Sequence, residues 1–139
     1  MNDGFVVDSS VAIAWAVAAQ SSERTRHLLD EVASGTPVVV PVLWMFEIAN
    51  SLLVLVRRKR IHPEQCANAR RALGKLSPVV DEEGPRFALG EISGLAERMN
   101  LSVYDATYLE LALRRRLPLA SRDGALNRAA KLSGIQTLF

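Results

Sequence analysis

Short runs of apolar residues alternate along this chain with longer segments whose apolar positions recur every three or four residues. The short runs are typical of buried strands and occupy residues 5–7, 37–41, 77–81, 118–121 and 135–138. The longer segments are typical of helices and occupy residues 9–19, 22–33, 42–60, 63–76, 84–100, 103–116 and 124–132. Strands of this kind, separated by helices, indicate a parallel sheet covered on both faces. The sequence therefore predicts a single α/β domain over residues 1–139, a three-layer α/β/α sandwich around a short parallel sheet of about five strands.

Composition excludes several classes of protein. Of the 139 residues, 49% are hydrophobic and 23% are charged, which excludes a disordered or low-complexity chain. The formal net charge of +2 favours anionic partners only mildly. The single cysteine, Cys66, cannot form an internal disulfide, so we expect a reducing, cytoplasmic environment. The most apolar helical segment carries Glu47 and Asn50 and is too short to span a bilayer, so we expect no membrane partner.

Four acidic residues fall where the chain passes the carboxyl edge of the predicted sheet. Asp8 follows the first strand, and Asp123 follows the fourth. Glu47 lies in the helix after the second strand, and Asp105 begins the helix that leads into the fourth. Because ligands of open α/β sheets bind beyond the carboxyl ends of the strands, we expect these side chains to meet at one rim.

Each acid also has a purely structural interpretation. Asp8, Asp105 and Asp123 occupy positions that suit helix N-caps. A structural role explains Glu47 less well, because its neighbours are apolar and no Lys or Arg lies one helical turn away. A carboxylate buried there without a cation to pair with it would be costly. Gathered carboxylates repel one another, and a divalent cation would remove that penalty. An all-oxygen set of ligands suits Mg²⁺ or Mn²⁺ rather than Zn²⁺, and the two histidines have no ligand spacing.

Four segments of the chain carry a resemblance to a known family. They are Val6-Val7-Asp8-Ser9-Ser10, Phe46-Glu47-Ile48-Ala49-Asn50, Tyr104-Asp105-Ala106-Thr107-Tyr108-Leu109-Glu110-Leu111-Ala112 and Ser121-Arg122-Asp123. In order and spacing the chain resembles the PIN-domain family, and most closely the VapC-type ribonuclease toxins of type II toxin–antitoxin pairs. The resemblance extends over essentially the full length and implies a PIN-like fold.

The resemblance implies a metal-dependent endoribonuclease, a hydrolase that cleaves RNA with metal-activated water. It assigns the catalytic and metal-holding roles to Asp8, Glu47, Asp105 and Asp123, with one or two Mg²⁺ or Mn²⁺ ions. No protein nucleophile is expected, because no serine has an adjacent histidine base. The implied partners are RNA and a small antitoxin protein.

Three polar residues are expected to hold the carboxylates or metal-bound waters in place, namely Ser10, Asn50 and Ser121. Each also suits a cap or the surface of a helix. Ser121 stands where the family commonly has threonine, which keeps the oxygen but not the methyl group. Some relatives carry a further acid after the last aspartate, and residues 124–127 offer none. The number of bound ions therefore stays open.

An acidic pocket repels phosphate, so basic groups must attract the RNA. The candidates are Arg122 and the run Arg57, Arg58, Lys59 and Arg60, together with Arg70–Arg71 and Arg114–Arg116. Two of these runs close helices, where cations also complement the helix dipole. Aromatic residues make up only 6% of the chain, so stacking on bases is not expected to dominate recognition.

The segment 42–56 has more apolar residues than one core-facing side of a helix requires. Five consecutive apolar residues occupy positions 52–56 and cover every side of the helix. We expect the surplus face to be covered by a second copy of the chain or by a helix of the antitoxin. The alternative is a central helix packed on both sides within one chain.

Other functions remain open at the level of sequence. A phosphoacceptor receiver domain would need an acidic pair after the first strand, and this chain has Asp8 alone. A PIN-domain nuclease that processes RNA as a housekeeping enzyme would carry the same acids, because target choice is decided by loops. A non-catalytic PIN-like module that binds RNA or protein is disfavoured by the presence of all four acids.

Overall fold

A four-stranded parallel sheet in the order β3-β2-β1-β4 forms the centre of the structure, a computed structural model that describes residues 3–139. The strands are β1 (Phe5–Val7), β2 (Val38–Pro41), β3 (Val79–Asp81) and β4 (Leu119–Ala120). All three pairings are parallel. The central strand β1 is completely buried, with Val6 and Val7 at 0% exposure, which explains its uninterrupted apolar sequence.

Seven α-helices cover the sheet within the described residues. They are α1 (Ser9–Ala16), α2 (Glu23–Ala33), α3 (Trp44–Arg57), α4 (Pro63–Gly74), α5 (Ser93–Met99), α6 (Val103–Arg115) and α7 (Gly124–Leu132). Helices α1 to α4 pack against one another, whereas α6 packs on β1 and β2 and against α5 and α7. The two sets of helices lie on opposite faces of the sheet because each crossover is right-handed. The chain moves across the sheet in one direction from β1 to β3 and then returns to β4 on the other side of β1. The α/β/α fold class is confirmed.

Local signals in the sequence place several helix ends. Asp8 caps α1, and Asp123 caps α7. Ser22 and Thr25 form a reciprocal capping box at the start of α2. Pro63 occupies the first turn of α4, where its missing N–H is not needed. These caps fix the points at which the chain leaves the sheet, and two of them are candidate site residues.

The main differences from the sequence prediction lie in the fifth strand, the end of α1 and the segment 84–100. The predicted fifth strand contributes only an isolated parallel bridge between Leu119 and Thr137, so the sheet has four strands. Helix α1 ends at Ala16 because Val17 adopts an extended conformation, and a short 3₁₀ turn follows. The predicted helix 84–100 consists of a 3₁₀ turn, a π-helical turn and then α5. Pro85 in its first turn and Gly90 in its middle are poor helix residues, which explains the irregular start.

The longest apolar helix, α3, buries only one of its sides. Trp44, Ile48 and Leu52 face the core, whereas Phe46 is 78% exposed and Met45 is 42% exposed. The prediction that this helix is apolar on more than its core-facing side is therefore confirmed, and the alternative of a helix packed on both sides within one chain is wrong. No helix among residues 3–139 combines the length and the apolar character needed to traverse a lipid bilayer.

Candidate active site

Asp8 lies at the carboxyl end of β1 and is held by donors on two sides. Its Oδ1 accepts hydrogen bonds from the Ser10 N–H at 3.0 Å, the Ser10 hydroxyl at 2.5 Å and the Val11 N–H at 3.4 Å. Its Oδ2 accepts from the Ser121 hydroxyl at 2.5 Å. Burial raises the pKa of the Asp8 carboxyl, although these hydrogen bonds oppose the shift. The carboxylate is thus fixed in direction and costly to leave charged.

Ser10 and Ser121 connect the ends of the adjacent strands β1 and β4. The Asp123 N–H donates to the Ser121 hydroxyl oxygen at 3.0 Å, and the Arg122 N–H donates to the Ser10 hydroxyl oxygen at 3.1 Å. Ser121 is completely buried, so its hydroxyl needs these partners. Both serines therefore contact an acid of the candidate site, in line with the role the sequence suggested for them.

Glu47 lies in the first turn of α3 and contacts Tyr108 of α6. The Tyr108 hydroxyl donates a hydrogen bond to Glu47 Oε1. Burial raises the pKa of the Glu47 carboxyl, and the charges of Asp8 and Asp105 raise it further. Burial also raises the pKa of the Tyr108 phenol above its usual range, and the bond to Glu47 adds to this shift. The phenol therefore remains protonated and serves as the donor.

Asp105 and Asp123 complete the acidic group from the two late helices. Asp105 is the third residue of α6, and Ser102 is the cap, whose hydroxyl oxygen accepts from the Asp105 N–H at 3.0 Å. The interpretation of Asp105 as an N-cap is therefore wrong. Burial raises the pKa of the Asp105 carboxyl, and the charges of Asp123 and Asp8 raise it further. Asp123 caps α7, and its Oδ1 accepts from the Leu126 N–H at 2.9 Å.

The four acids form one electrostatic group but not an assembled coordination sphere. The charge of Asp105 interacts with those of Asp8, Glu47 and Asp123. No three His, Cys, Asp or Glu side chains of residues 3–139 converge as a ready metal site. The donor chemistry nevertheless fits a hard dication, because a cation would offset both the burial that raises the pKa of Asp8, Glu47 and Asp105 and the repulsion that adds to it at Glu47 and Asp105. A carboxylate oxygen that accepts one hydrogen bond also keeps a further lone pair for an ion.

A groove of about 410 Å³ with a mixed polar and apolar lining lies beside the acids, between α1 and α3. Its polar lining consists of Ser9, Ser10, Gln20, Asn50, Ser51, Arg58 and Arg60. Asn50 is exposed and lines the groove instead of binding a carboxylate. The groove joins Ser10, which touches Asp8, to two of the predicted RNA-binding arginines, whereas Arg57 and Lys59 are exposed but are not part of its lining.

The other predicted basic residues have separate environments. Arg122 is exposed, and its guanidinium donates to the Gln20 carbonyl at 3.1 Å, which holds it at the margin of the groove. Arg114 binds both carboxylate oxygens of Asp81 at 2.9 and 2.6 Å and also binds Glu110. These hydrogen bonds lower the pKa of the buried Asp81 carboxyl. Arg114 is therefore occupied by carboxylates, which corrects its inclusion among the residues free to bind phosphate.

Two residues that contact the site were not singled out in the sequence. Tyr108 follows Asp105 by three positions, so both lie on one face of α6. Asn127 follows Asp123 by four positions, and its side-chain amide donates to the Ser121 carbonyl at 2.9 Å. Helical spacing from an acid was the available signal in each case, but it does not reveal which distant partner the side chain meets.

Known proteins resemble this chain in sequence pattern and in fold. A family model described as the PIN domain matches residues 5–132. Among solved structures, the chain is similar to PAE2754 from Pyrobaculum aerophilum, with 26% sequence identity and a TM-score of 0.72 over 97% of this chain and 89% of that one. It is also similar in fold to FitAcB from Neisseria gonorrhoeae, with 16% identity and a TM-score of 0.65 over 96% of this chain and 95% of that one. No curated protein matches the sequence. The match over residues 5–132 shows that the chain belongs to the PIN-domain family.

Proposed function

We propose that this protein is a Mg²⁺- or Mn²⁺-dependent endoribonuclease that acts as the toxin of a toxin–antitoxin pair. The observation that carries the proposal is the acidic group itself. Carboxylates from four distant segments interact at the carboxyl edge of the sheet, three of them with raised pKa values. Such an arrangement is unfavourable without a cation, and PIN-domain nucleases typically use divalent metals.

The residues divide into holding and positioning roles. Asp8, Asp105 and Asp123 would hold the ion, and Glu47 would bind it directly, bind it through water or orient the attacking water. When bound, the ion would activate water and neutralise charge on the scissile phosphate. Ser10 and Ser121 keep the Asp8 carboxylate in one orientation by donating to opposite oxygens.

The groove between α1 and α3 supplies a path for the RNA backbone. Arg58 and Arg60 line it, and within residues 3–139 neither forms an ion pair, so both are available to phosphate. Arg122 lies at its margin through the contact with Gln20. A phosphate backbone in this groove would pass Ser10 on its way to Asp8.

RNA cleavage by the purified protein tests the enzymatic part of the proposal. We expect cleavage of single-stranded RNA with Mg²⁺ or Mn²⁺, and loss of cleavage with EDTA and in Asp105→Asn. Asp30→Asn is the matched control, because Asp30 is an exposed aspartate on α2 outside the site. Cleavage that persists in EDTA and in Asp105→Asn would contradict the proposal.

The toxin role rests on the resemblance of the four motifs to VapC-type toxins and is tested in cells. We expect induced expression to arrest growth of a bacterial host, and Asp105→Asn to abolish the arrest. Co-expression of a small protein encoded next to this chain, with a basic DNA-binding N-terminus, should restore growth. A protein that cleaves RNA in vitro without arresting growth would instead be a housekeeping nuclease.

We also propose that a second copy of the chain covers an exposed apolar stripe, which consists of Met45, Phe46 and Leu53 on α3 and of Val42 just before it. These positions recur at helical spacing on one side of the helix. We expect a dimer in light scattering and a monomer for Phe46→Glu. Leu132→Glu is the control, because Leu132 is 80% exposed on a different helix. A wild-type monomer would contradict the dimer.

A further inference from the structure

The hydrogen bond between Tyr108 and Glu47 joins helices that cover opposite faces of the sheet. Helix α3 packs with α1 and α4, whereas α6 packs on β1 and β2 from the other side. The bond spans 61 positions of sequence. Tyr108 also lies one helical turn beyond Asp105, so a single helix carries one acid and contacts another. The phenol therefore connects Glu47 of α3 to the helix that carries Asp105.

Few other contacts fix the Glu47 side chain. It is half-buried beside Phe46, which is 78% exposed, and within residues 3–139 it takes part in no ion pair. The Ser9 hydroxyl interacts with both Glu47 and Tyr108. A glutamate with several rotatable bonds at such a position would sample many orientations without a fixed donor. The Tyr108 hydroxyl is such a donor and is anchored in the core, whereas Ser9 is only half-buried.

The location of the hydroxyl argues that its bond matters for more than packing. Tyr108 is 1% exposed and is among the largest fully buried side chains. A phenylalanine would fill nearly the same space, and a hydroxyl in the core is costly unless it is paired. Its hydrogen-bond acceptor in the described structure is an oxygen of a candidate catalytic acid. A tyrosine at this position is thus explained by Glu47 rather than by the core.

We infer that Tyr108 is a positioning residue, which holds the Glu47 carboxylate toward the acidic group so that its orientation does not depend on substrate. This inference rests on the proposed function. It assigns Tyr108 no contact with RNA and no proton transfer. Its effect passes through Glu47, and the removal of Glu47 should therefore abolish it.

The test compares Tyr108→Phe with the intact protein in three measurements. We expect kcat for RNA cleavage to fall by about 10–100-fold and Mn²⁺ affinity in calorimetry to weaken, the size of effect that outer partners of metal ligands show. The KM for RNA and the urea midpoint should stay unchanged. Tyr104→Phe is the matched control on the same helix, because Tyr104 is 64% exposed, and it should behave as wild type.

A double-mutant cycle separates positioning from other roles. Glu47→Ala combined with Tyr108→Phe should be no worse than Glu47→Ala alone, since Glu47→Ala already removes the carboxylate that the Tyr108 hydroxyl orients. Additive losses, wild-type kcat and Mn²⁺ affinity in Tyr108→Phe, or a urea midpoint that falls with the activity would each overturn the inference. A wild-type protein that neither cleaves RNA nor binds Mn²⁺ would overturn the proposed function and this inference together.

Discussion

Replacing Asp8 by asparagine should separate the activity of this protein from its stability. Asparagine has the shape of aspartate and is an equally good helix N-cap, so the bonds from the Ser10 and Val11 N–H groups to the side-chain oxygen can persist. The change removes a charge that burial makes unfavourable, as the raised pKa of Asp8 indicates. We therefore expect RNA cleavage and Mn²⁺ binding to be lost while the free energy of unfolding is unchanged or increased.

The comparison with Asp8→Ala supplies the magnitude. Alanine loses the cap of α1, which costs about 1 kcal/mol. It also leaves the Ser121 hydroxyl, which is completely buried, without its acceptor, at a further cost of about 1–3 kcal/mol. Asparagine avoids the first cost and only part of the second, because its amide can donate to the Ser121 oxygen whereas the Ser121 proton loses its carboxylate acceptor. The alanine variant should thus be less stable than wild type by about 2–4 kcal/mol.

Urea unfolding followed by circular dichroism at neutral pH in EDTA measures these differences, and RNA cleavage in Mg²⁺ measures activity. The metal must be absent from the unfolding experiment, because an ion that binds only the folded state would add its own stabilisation to the wild type. If Asp8→Asn were destabilised as much as Asp8→Ala, the Asp8 charge would be a net source of stability. That result would refute the argument from burial.

Three further predictions concern the rest of the charge distribution. The raised pKa values of Asp8, Glu47 and Asp105 make the folded state bind more protons than the unfolded chain. Thermal stability in EDTA should therefore rise as the pH falls from 7 to about 5. Stabilisation by Mn²⁺ should be larger at the higher pH, because the metal binds deprotonated carboxylates. No such rise would contradict the shifts. Arg114→Met should lower the free energy of unfolding in urea by about 1.5–3 kcal/mol, because it removes both hydrogen bonds to the buried Asp81 carboxylate and leaves Arg115, 3.5 Å away, as the remaining cation beside it; a neutral result would refute the structural role of this pair. Replacing Arg58 and Arg60 by alanine should make the slope of log K for single-stranded RNA binding against log salt concentration shallower by about 0.7 per arginine. An unchanged slope would exclude the groove as the path of the RNA backbone.

Local patterns in the sequence were enough for most of the elements and for the caps at Asp8 and Asp123. The strand at residues 5–7 and the helix at residues 124–132 have the predicted bounds. Asp8 and Asp123 sit at helix starts because aspartate accepts from the free N–H groups of a first turn. A cap and a hydrophobic period involve neighbours a few residues apart, so they can be read from a short window of sequence.

The partners of the candidate site were decided by the crossovers of the chain. Ser121 donates to Asp8 because β1 and β4 are adjacent in the sheet although more than a hundred positions separate the two residues. Tyr108 reaches Glu47 only because α6 and α3 approach the same edge from opposite faces. The sequence by itself determined which side chains carry charge and which segments form helices and strands. Only the tertiary structure decided which of them meet, because the energy of a contact between distant segments depends on the packing of every element between them.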